Sequence, residues 1–285
     1  MQRFEIIDTT LRDGEQTAGV IFSSDEKLRM LKAMDEAGIK WIEAGIPAIG
    51  EQEKYTLKKM LSLNLKANLI AWNRASKEDI KQSIACGFSC LHVSLPVSDL
   101  HINYKLRKNR NWVINRLKEI LGFMKSYGVD IIVGAEDASR ADPQFFLQYA
   151  EVAASFGAIR LRYADTIGCL DPFLTYEKLK YIMERTPLPI EFHGHNDFGL
   201  ATANTLAAFK AKVNFCSVTS VGIGERAGNA SLEETIKSLF HLYGYDCGIR
   251  FEVIEKLTDL VEEASGRKVF PYKPIIGSMY KKSSI

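Results

Sequence analysis

The chain has 285 residues, 46% hydrophobic and 25% charged, which is enough apolar material for one large core at a length that suits a single α/β barrel. Lys and Arg (37) nearly balance Asp and Glu (35), so the net charge of +2 supplies no global field for nucleic acid or an anionic membrane surface. No apolar run approaches the roughly 18 residues of a membrane span and no basic-then-apolar leader precedes the first strand, so the sequence reads as cytoplasmic.

In chain order, Phe4 to Ile7 reads as a strand that empties into Asp8-Thr9-Thr10-Leu11-Arg12-Asp13-Gly14-Glu15-Gln16. Asp25 to Gly38 has apolar residues at helical spacing and ends on a glycine suited to a C-cap. The alternation continues with strands at Trp41 to Ala44, Ala67 to Trp72 and Cys90 to Leu95, separated by helices over Glu51 to Leu63 and Ser76 to Cys86, the latter with an N-cap serine. It runs on through helix Trp112 to Tyr127, strand Ile131 to Ala135, helix Pro143 to Phe156 and strand Ile159 to Tyr163. Helix Thr175 to Glu184, strand Ile190 to His193, helix Leu200 to Lys210, strand Phe215 to Thr219 and helix Leu232 to Leu242 complete eight βα units. Strict alternation of that number predicts an α/β fold, a closed parallel (β/α)8 TIM barrel. The barrel domain is expected over residues 1–245, and residues 246–285 supply a short C-terminal extension, one helix (Glu252 to Ser265) and a tail ending in Lys281-Lys282-Ser283-Ser284-Ile285. The five cysteines, Cys86, Cys90, Cys169, Cys216 and Cys247, form no Cys-x-x-Cys pair and read as buried small hydrophobes.

In such a barrel the residues just past each strand converge on one face, where the chemistry sits. Here they are Arg12, Asp13 and Gln16; Glu43; Asn73; His92 and Ser94; Glu136, Asp137 and Arg140; Asp165 and Thr166; His193, His195 and Asp197; and Glu225, Arg226 and Asn229. His193-Gly194-His195 is the sharpest local signal, because residues i and i+2 of a strand face the same side. Strands one and seven are one strand apart in a ring of eight, so Asp13 lies near the same mouth. Two imidazoles and a carboxylate leave open positions on a divalent ion. The loop Gly222-Ile223-Gly224-Glu225-Arg226-Ala227-Gly228-Asn229 can bring backbone close to a phosphate or a thioester oxygen. The basic run Lys105 to Arg110 is either a solvated loop or a dock for a polyanionic cofactor tail.

DTTLRDGEQ, HGHND and GIGERAGN, with EAGIPAIGE, SLPVSDL, GAEDASRAD, LRYADTIG and EEASGRKV, resemble the metal-dependent acyl-CoA Claisen-condensing synthases, the group of isopropylmalate and homocitrate synthases. The likeness covers residues 4 to about 270 and is strongest to the homocitrate synthases that supply the organic acid of the nitrogenase cofactor. It implies condensation of acetyl-CoA with a 2-oxo acid, 2-oxoglutarate for the homocitrate type, at a divalent metal held by Asp13, His193 and His195 with Asn229 assisting. Zinc, manganese, iron and magnesium all suit such ligands to differing degrees. The resemblance gives Arg12, Gln16, Glu43 and Glu136 catalytic or orienting roles. Arg12, His92, Arg140 and Thr166 are implied to hold the 2-oxo acid, Gly222, Gly224 and Glu225 the acyl-CoA, and Asp165 to support the site.

Two departures stand out. Val221 occupies a position where related synthases carry Asn. The chain also stops before the family's His-Glu-x-Gly-Ile-His stretch, whose histidine serves the partner subunit's active site. The expectation is therefore a homodimer, or a heteromer with a polypeptide supplying the missing C-terminal part, unless a residue such as His92 acts as base. Alternatives are a hydroxymethylglutaryl-CoA-type lyase, disfavoured because Gly222 to Asn229 lacks a cysteine, a citrate- or isopropylmalate-forming synthase, and a non-catalytic metal-binding partner subunit.

Overall fold

In the computed structural model the described residues are 4–282; residues 1–3 and the end Ser283-Ser284-Ile285 of the basic tail lie outside them. Eight strands alternate with eight helices. They are β1 (Glu5–Asp8), α1 (Ser24–Ala37), β2 (Trp41–Gly45), α2 (Glu51–Leu61), β3 (Asn68–Arg74), α3 (Lys77–Cys86), β4 (Cys90–Pro96) and α4 (Arg110–Lys125). There follow β5 (Asp130–Glu136), α5 (Pro143–Ser155), β6 (Arg160–Asp165), α6 (Pro172–Met183), β7 (Ile190–Gly194), α7 (Ala201–Lys210), β8 (Phe215–Val218) and α8 (Leu232–Tyr243), with α9 (Phe251–Ser265) and a short α10 (Ser278–Lys282) beyond. All strands are parallel and pair in sequence order, and β8 closes on β1 through Glu5 opposite Phe215 and Asp8 opposite Val218. The (β/α)8 barrel expected from the alternation is the observed fold.

Local chemistry sets the boundaries. Ser23 and Glu26 form a reciprocal capping box at the start of α1, and Gly38 ends it at φ 94°, a conformation glycine adopts without strain. Asp142 and Asp171 cap α5 and α6, each followed by a proline whose missing N–H costs nothing at the first helical position. Ser76 is the N-cap of α3, as expected, though its side chain makes no capping bond. Several strands run a residue or two further than their apolar cores, so that Asp8, Arg74 and Asp165 are strand residues.

The apolar core is mainly the layer between the strands and the helices, with a smaller cluster of Ile7, Ile70, Cys90 and Ile132 inside the barrel. The Tyr245 hydroxyl donates to Phe4 O and accepts from Phe4 N–H, both at 2.8 Å, joining the segment after α8 to the first strand. α9 packs along α1, with Arg29 and Glu263 paired at 3.0 Å across the rim. Cys86, Cys90 and Cys216 are buried and Cys247 half-buried, whereas Cys169 is exposed. It lies in the β6–α6 turn, where Sγ reaches Ser139 Oγ and Asp165 Oδ1, so the reading of every cysteine as a buried hydrophobe fails there. No helix of the described residues is long and apolar enough to cross a membrane.

Candidate active site

The interior of the barrel is charged above its apolar floor. Arg160, at the start of β6, is buried with its guanidinium between the rings of Trp41 (4.7 Å) and Phe215 (4.8 Å), and its Nε lies 2.9 Å from Glu191 Oε2. Two residues on, Arg162 donates from Nε to Glu191 Oε1 at 2.5 Å and from Nη2 to Glu43 Oε1 at 2.9 Å. Glu43 Oε2 accepts Arg12 Nε at 2.6 Å, and Glu43 Oε1 lies 2.7 Å from His92 Nδ1. Burial works to raise the Glu43 carboxyl, but Arg12, Arg162 and His92 outweigh it and hold it well below the usual carboxylate range. An ionised carboxylate only accepts, so His92 Nδ1 carries the proton. Burial and Arg162 push the His92 imidazole down to about 4 against the pull of Glu43, which leaves it neutral with a bare lone pair at Nε2. Among the described residues that Nε2 has no partner; it faces Gly134, where a Cβ would come within 2.5 Å of it.

Arg12 links this column to a second cluster. Its Nη1 donates to Gln16 Oε1 at 3.1 Å and lies 3.2 Å from Asp13 Oδ2. Asp13 Oδ2 is also 3.2 Å from His193 Nε2, which is 3.1 Å from His195 Nε2. Two nitrogens about 2.1 Å from a shared ion stand about 3.0 Å apart at a right angle and about 3.4 Å apart at the tetrahedral angle, so the observed spacing suits adjacent ligands of one cation. The three groups offer one ligand atom each within 4.8 Å of one another, and all three are buried. Asn229 is set beside them by a bridge between its backbone and His195. Its Nδ2 donates to Ile223 O, and among the described residues its Oδ1, like Asp13 Oδ1, is buried without a partner. Burial raises the Asp13 carboxyl, but Arg12, followed by His193 and His195, holds it far below the ordinary range. Burial and His193 push His195 down to about 3, so it is neutral, as a metal ligand must be. The orphaned oxygens, the neutral His195 imidazole set against His193, and the fixed Asp13 carboxylate fit a divalent cation.

The remaining candidates lie further round the mouth. Glu136 Oε1 is held by His101 Nδ1 (2.6 Å) and Lys105 Nζ (2.7 Å), both on a π-helical turn at His101–Lys105 after β4. Arg140 donates to both oxygens of buried Asp137, whose backbone N–H donates to Thr166 Oγ1 at 2.8 Å. Among the described residues no hydrogen bond or ion pair joins Glu136, Arg140 or Thr166 to the Asp13 or Glu43 clusters. Asp165 accepts the N–H groups of Cys169 and Leu170, and its carbonyl accepts His195 N–H, so it fixes the turn and the strand beside the imidazoles. Gly222 and Gly224 line the loop after β8, while the Glu225 side chain pairs with Arg226 at its exposed side. In the basic run, Lys105 is tied to Glu136, and Arg110 starts α4 in a two-point pair with Asp99 (2.7 and 2.6 Å).

Sequence reading missed Arg160, Arg162, Glu191 and His101. The signal for the first three was present: Arg160 and Arg162, and Glu191 with His193, are charged residues at period two in strands that a closed parallel barrel buries on both faces. A buried charge in such a strand requires a partner inside the barrel.

The chain matches the HMGL-like family over residues 3–261. It is 48% identical to 2-isopropylmalate synthase 2 of Caldanaerobacter subterraneus, over 95% of this chain and 71% of that protein. It is 46% identical to homocitrate synthase 1 of Nostoc sp., over 97% of this chain and 74% of that one. It is 45% identical to the homocitrate synthase subunit alpha of Clostridium pasteurianum, over 84% of this chain and 89% of that one. The barrel superposes on the crystal structure of the HMG-CoA lyase of Bacillus subtilis with a TM-score of 0.86 over 99% of both chains, at 17% identity, a likeness of fold alone. The chain belongs to the HMGL-like family, and its relatives at 45–48% identity are synthases.

Proposed function

We propose that this chain is the catalytic barrel of a cytoplasmic, metal-dependent acyltransferase that condenses acetyl-CoA with a 2-oxo acid, 2-oxoglutarate, to form homocitrate and CoA. The observation that carries the reading is the convergence of Asp13, His193 and His195, with Asn229 bridged through its backbone to His195, beside the Arg12–Glu43 pair. A divalent ion held by those residues would polarise the keto and carboxylate oxygens of a 2-oxo acid. Arg12 keeps a fixed, partly desolvated guanidinium beside the place where an oxyanion develops, at no reorganisation cost. Glu43 aims Arg12 and locks the His92 tautomer; Gln16 steadies the other edge of Arg12.

In the reaction the acetyl methyl group loses a proton, its carbon bonds to the keto carbon, and the keto oxygen gains a proton to become the tertiary hydroxyl. Water then cleaves the thioester, releasing a carboxylate and the CoA thiol. His92 is this chain's own candidate for the base, because its Nε2 is buried, neutral and unpartnered. Arg140 and Thr166, both anchored through Asp137, are the proposed grip on the carboxylates, and Glu136 the supporting carboxylate at the same rim. A cavity of about 520 Å³ lined by Leu11, Arg12, Gln16, Val20, Ile46 and Ile49 opens beside Arg12 and has the apolar walls an acyl-thioester arm needs. Residues 246–285 are proposed as part of a linker subdomain, and the active form as a homodimer or a pair with a second polypeptide. The naming of a 45% identical relative as a subunit alpha favours the two-polypeptide form. That relative and the Nostoc protein also favour 2-oxoglutarate and a link to nitrogen fixation.

The test is thiol release from acetyl-CoA with a panel of 2-oxo acids and a divalent metal, for the purified chain alone and mixed with the product of its genomic neighbour. Release with 2-oxoglutarate that Asp13→Ala abolishes is the expected result. Release only with a branched 2-oxo acid would move the reading to an isopropylmalate-forming enzyme, and none with any acid would end the condensation reading.

A further inference from the structure

Lys27, in the first turn of α1, is 3% exposed, a depth at which a lysine is rarely found unless it is paired. Its Nζ lies 2.6 Å from Glu15 Oε2 and 2.6 Å from Glu53 Oε2, so two carboxylates on separate segments share one ammonium. Glu15 belongs to the turn after β1, and its Oε1 also accepts the Phe22 N–H at 2.9 Å, which closes residues 15–22 into a loop. Glu53 is in the first turn of α2. Its Oε1 sits against Gly45, the last residue of β2, where a Cβ would come within 2.2 Å of it. Burial raises the Glu53 carboxyl, Lys27 works against that, and Glu15 adds to it. Removing the ammonium alone would leave two buried carboxylates without a cation.

The two segments joined by Lys27 are the ones that hold Arg12. Gln16, next to Glu15, accepts Arg12 Nη1 at 3.1 Å, and Glu43, two residues before Gly45, accepts Arg12 Nε at 2.6 Å. Arg12 and Lys27 are thus two cross-links between the same pair of loops, and both line the cavity of about 520 Å³. A neutral contact between Ser24 Oγ and Thr56 Oγ1, at 2.5 Å, joins α1 to α2 nearby. Among the described residues no hydrogen bond or ion pair joins Lys27 to Arg12, so whatever Lys27 does to Arg12 passes through the backbone that carries Gln16 and Glu43.

We propose that Lys27 is a positioning residue of the active site: by holding Glu15 against Glu53 it fixes the separation of the β1–α1 and β2–α2 loops and so aims the Arg12 guanidinium. What Arg12 is aimed at, a developing oxyanion, rests on the proposed condensation; how it is held does not. A displacement of about 1 Å at a group that stabilises a transition state can cost on the order of a hundredfold in rate, so a cross-link away from the reacting atoms has leverage on them.

The experiment compares the whole chain, with its partner polypeptide where turnover requires one, with the Glu15→Gln/Lys27→Met/Glu53→Gln variant, which removes the three charges together and leaves no buried ion unpaired. Hydrogen exchange read by mass spectrometry reports on the loop directly, because the N–H groups of Asp13, Gln16, Thr17, Val20 and Phe22 are all bonded. The expected result is exchange about tenfold or more faster over residues 9–23 and unchanged over β5 to β8. With it, kcat falls about tenfold or more while KM for the 2-oxo acid stays within about twofold, the pattern of a lost transition-state contact. Unchanged exchange in the loop overturns the proposal. Faster exchange with kcat unchanged also overturns it, and makes Lys27 an ion pair that serves stability alone. Should every segment exchange faster, the fold itself has weakened, and Glu53→Gln, which keeps the Lys27–Glu15 pair and cuts only the tie to α2, takes the variant's place; the same local result is expected of it, and its absence overturns the proposal. Exchange is read without turnover. A wild type that turns over no 2-oxo acid ends the condensation reading, whereas loops that stay protected in the variants end this inference alone.

Discussion

Glu43, within β2, and Asp13, in the loop after β1, share one arginine, yet they are satisfied differently. Both Glu43 oxygens are taken by Arg12, Arg162 and His92. Asp13 spends Oδ2 on Arg12 and His193, and among the described residues its Oδ1, like that of Asn229, is buried and unpaired. A buried carboxylate whose two oxygens are both taken can aim its neighbours but has no oxygen of its own left for a ligand. An unsaturated one persists only where something outside the protein completes it or where its cost serves a function.

Breaking the saturated side should have the largest effect. Glu43→Gln leaves Arg12 and Arg162 buried with one compensating charge fewer, and should cost about 3–5 kcal/mol in urea denaturation followed by circular dichroism. A loss below about 1 kcal/mol would mean that the column is not a scaffold. On the unsaturated side, Asp13→Ala should weaken divalent-metal affinity at least about a hundredfold, read by equilibrium dialysis with metal analysis, while the metal-free chain unfolds close to the wild-type midpoint. If both properties fell together, the two clusters would be one unit.

Asp8 sharpens the comparison, being buried with an orphaned Oδ2 but outside the metal cluster. Burial, with Glu233 adding to it, pushes its carboxyl up to about 7 against the hydrogen bond from Thr10 N–H. An unfolded Asp titrates near 4, so between about pH 4 and 7 the folded chain holds a proton that the unfolded chain has lost, and stability falls as pH rises through that window. Asp8→Asn keeps the Thr10 bond and should flatten that slope, adding on the order of 2 kcal/mol at pH 8. An unchanged pH profile would mean that Asp8 has an unseen partner. The smallest effect belongs to Val221, a β-branched residue at φ 55° and ψ 4°, where its N–H is gripped by both Glu233 oxygens. Asn tolerates that backbone, so Val221→Asn should raise stability by about 1 kcal/mol in the same denaturation assay. No gain would mean that Val221 packing offsets the strain.

The alternation of short apolar runs with amphipathic stretches was enough to read eight strands and eight helices within a few residues of their ends. It also placed Asp13, His193 and His195 together, because strand period and barrel closure are local rules applied around a ring. Other relations were not legible. His101 reaches Glu136 only because the turn after β4 winds into a π-helical form. Arg140 and Thr166 meet through Asp137 rather than at the metal cluster.

The sequence by itself determined the barrel, its strand order and the metal-type triad, since each follows from periodicity and from which residue types end each strand. Only the tertiary structure decided how the charges inside were shared: that Glu43 answers to Arg12 and to Arg162, 119 positions away, that His92 is neutral with a free Nε2, and that Asn229 is left with an open oxygen. The reason is that both faces of a parallel strand are buried in a closed barrel, so alternation says where a charge points but not which distant charge it meets.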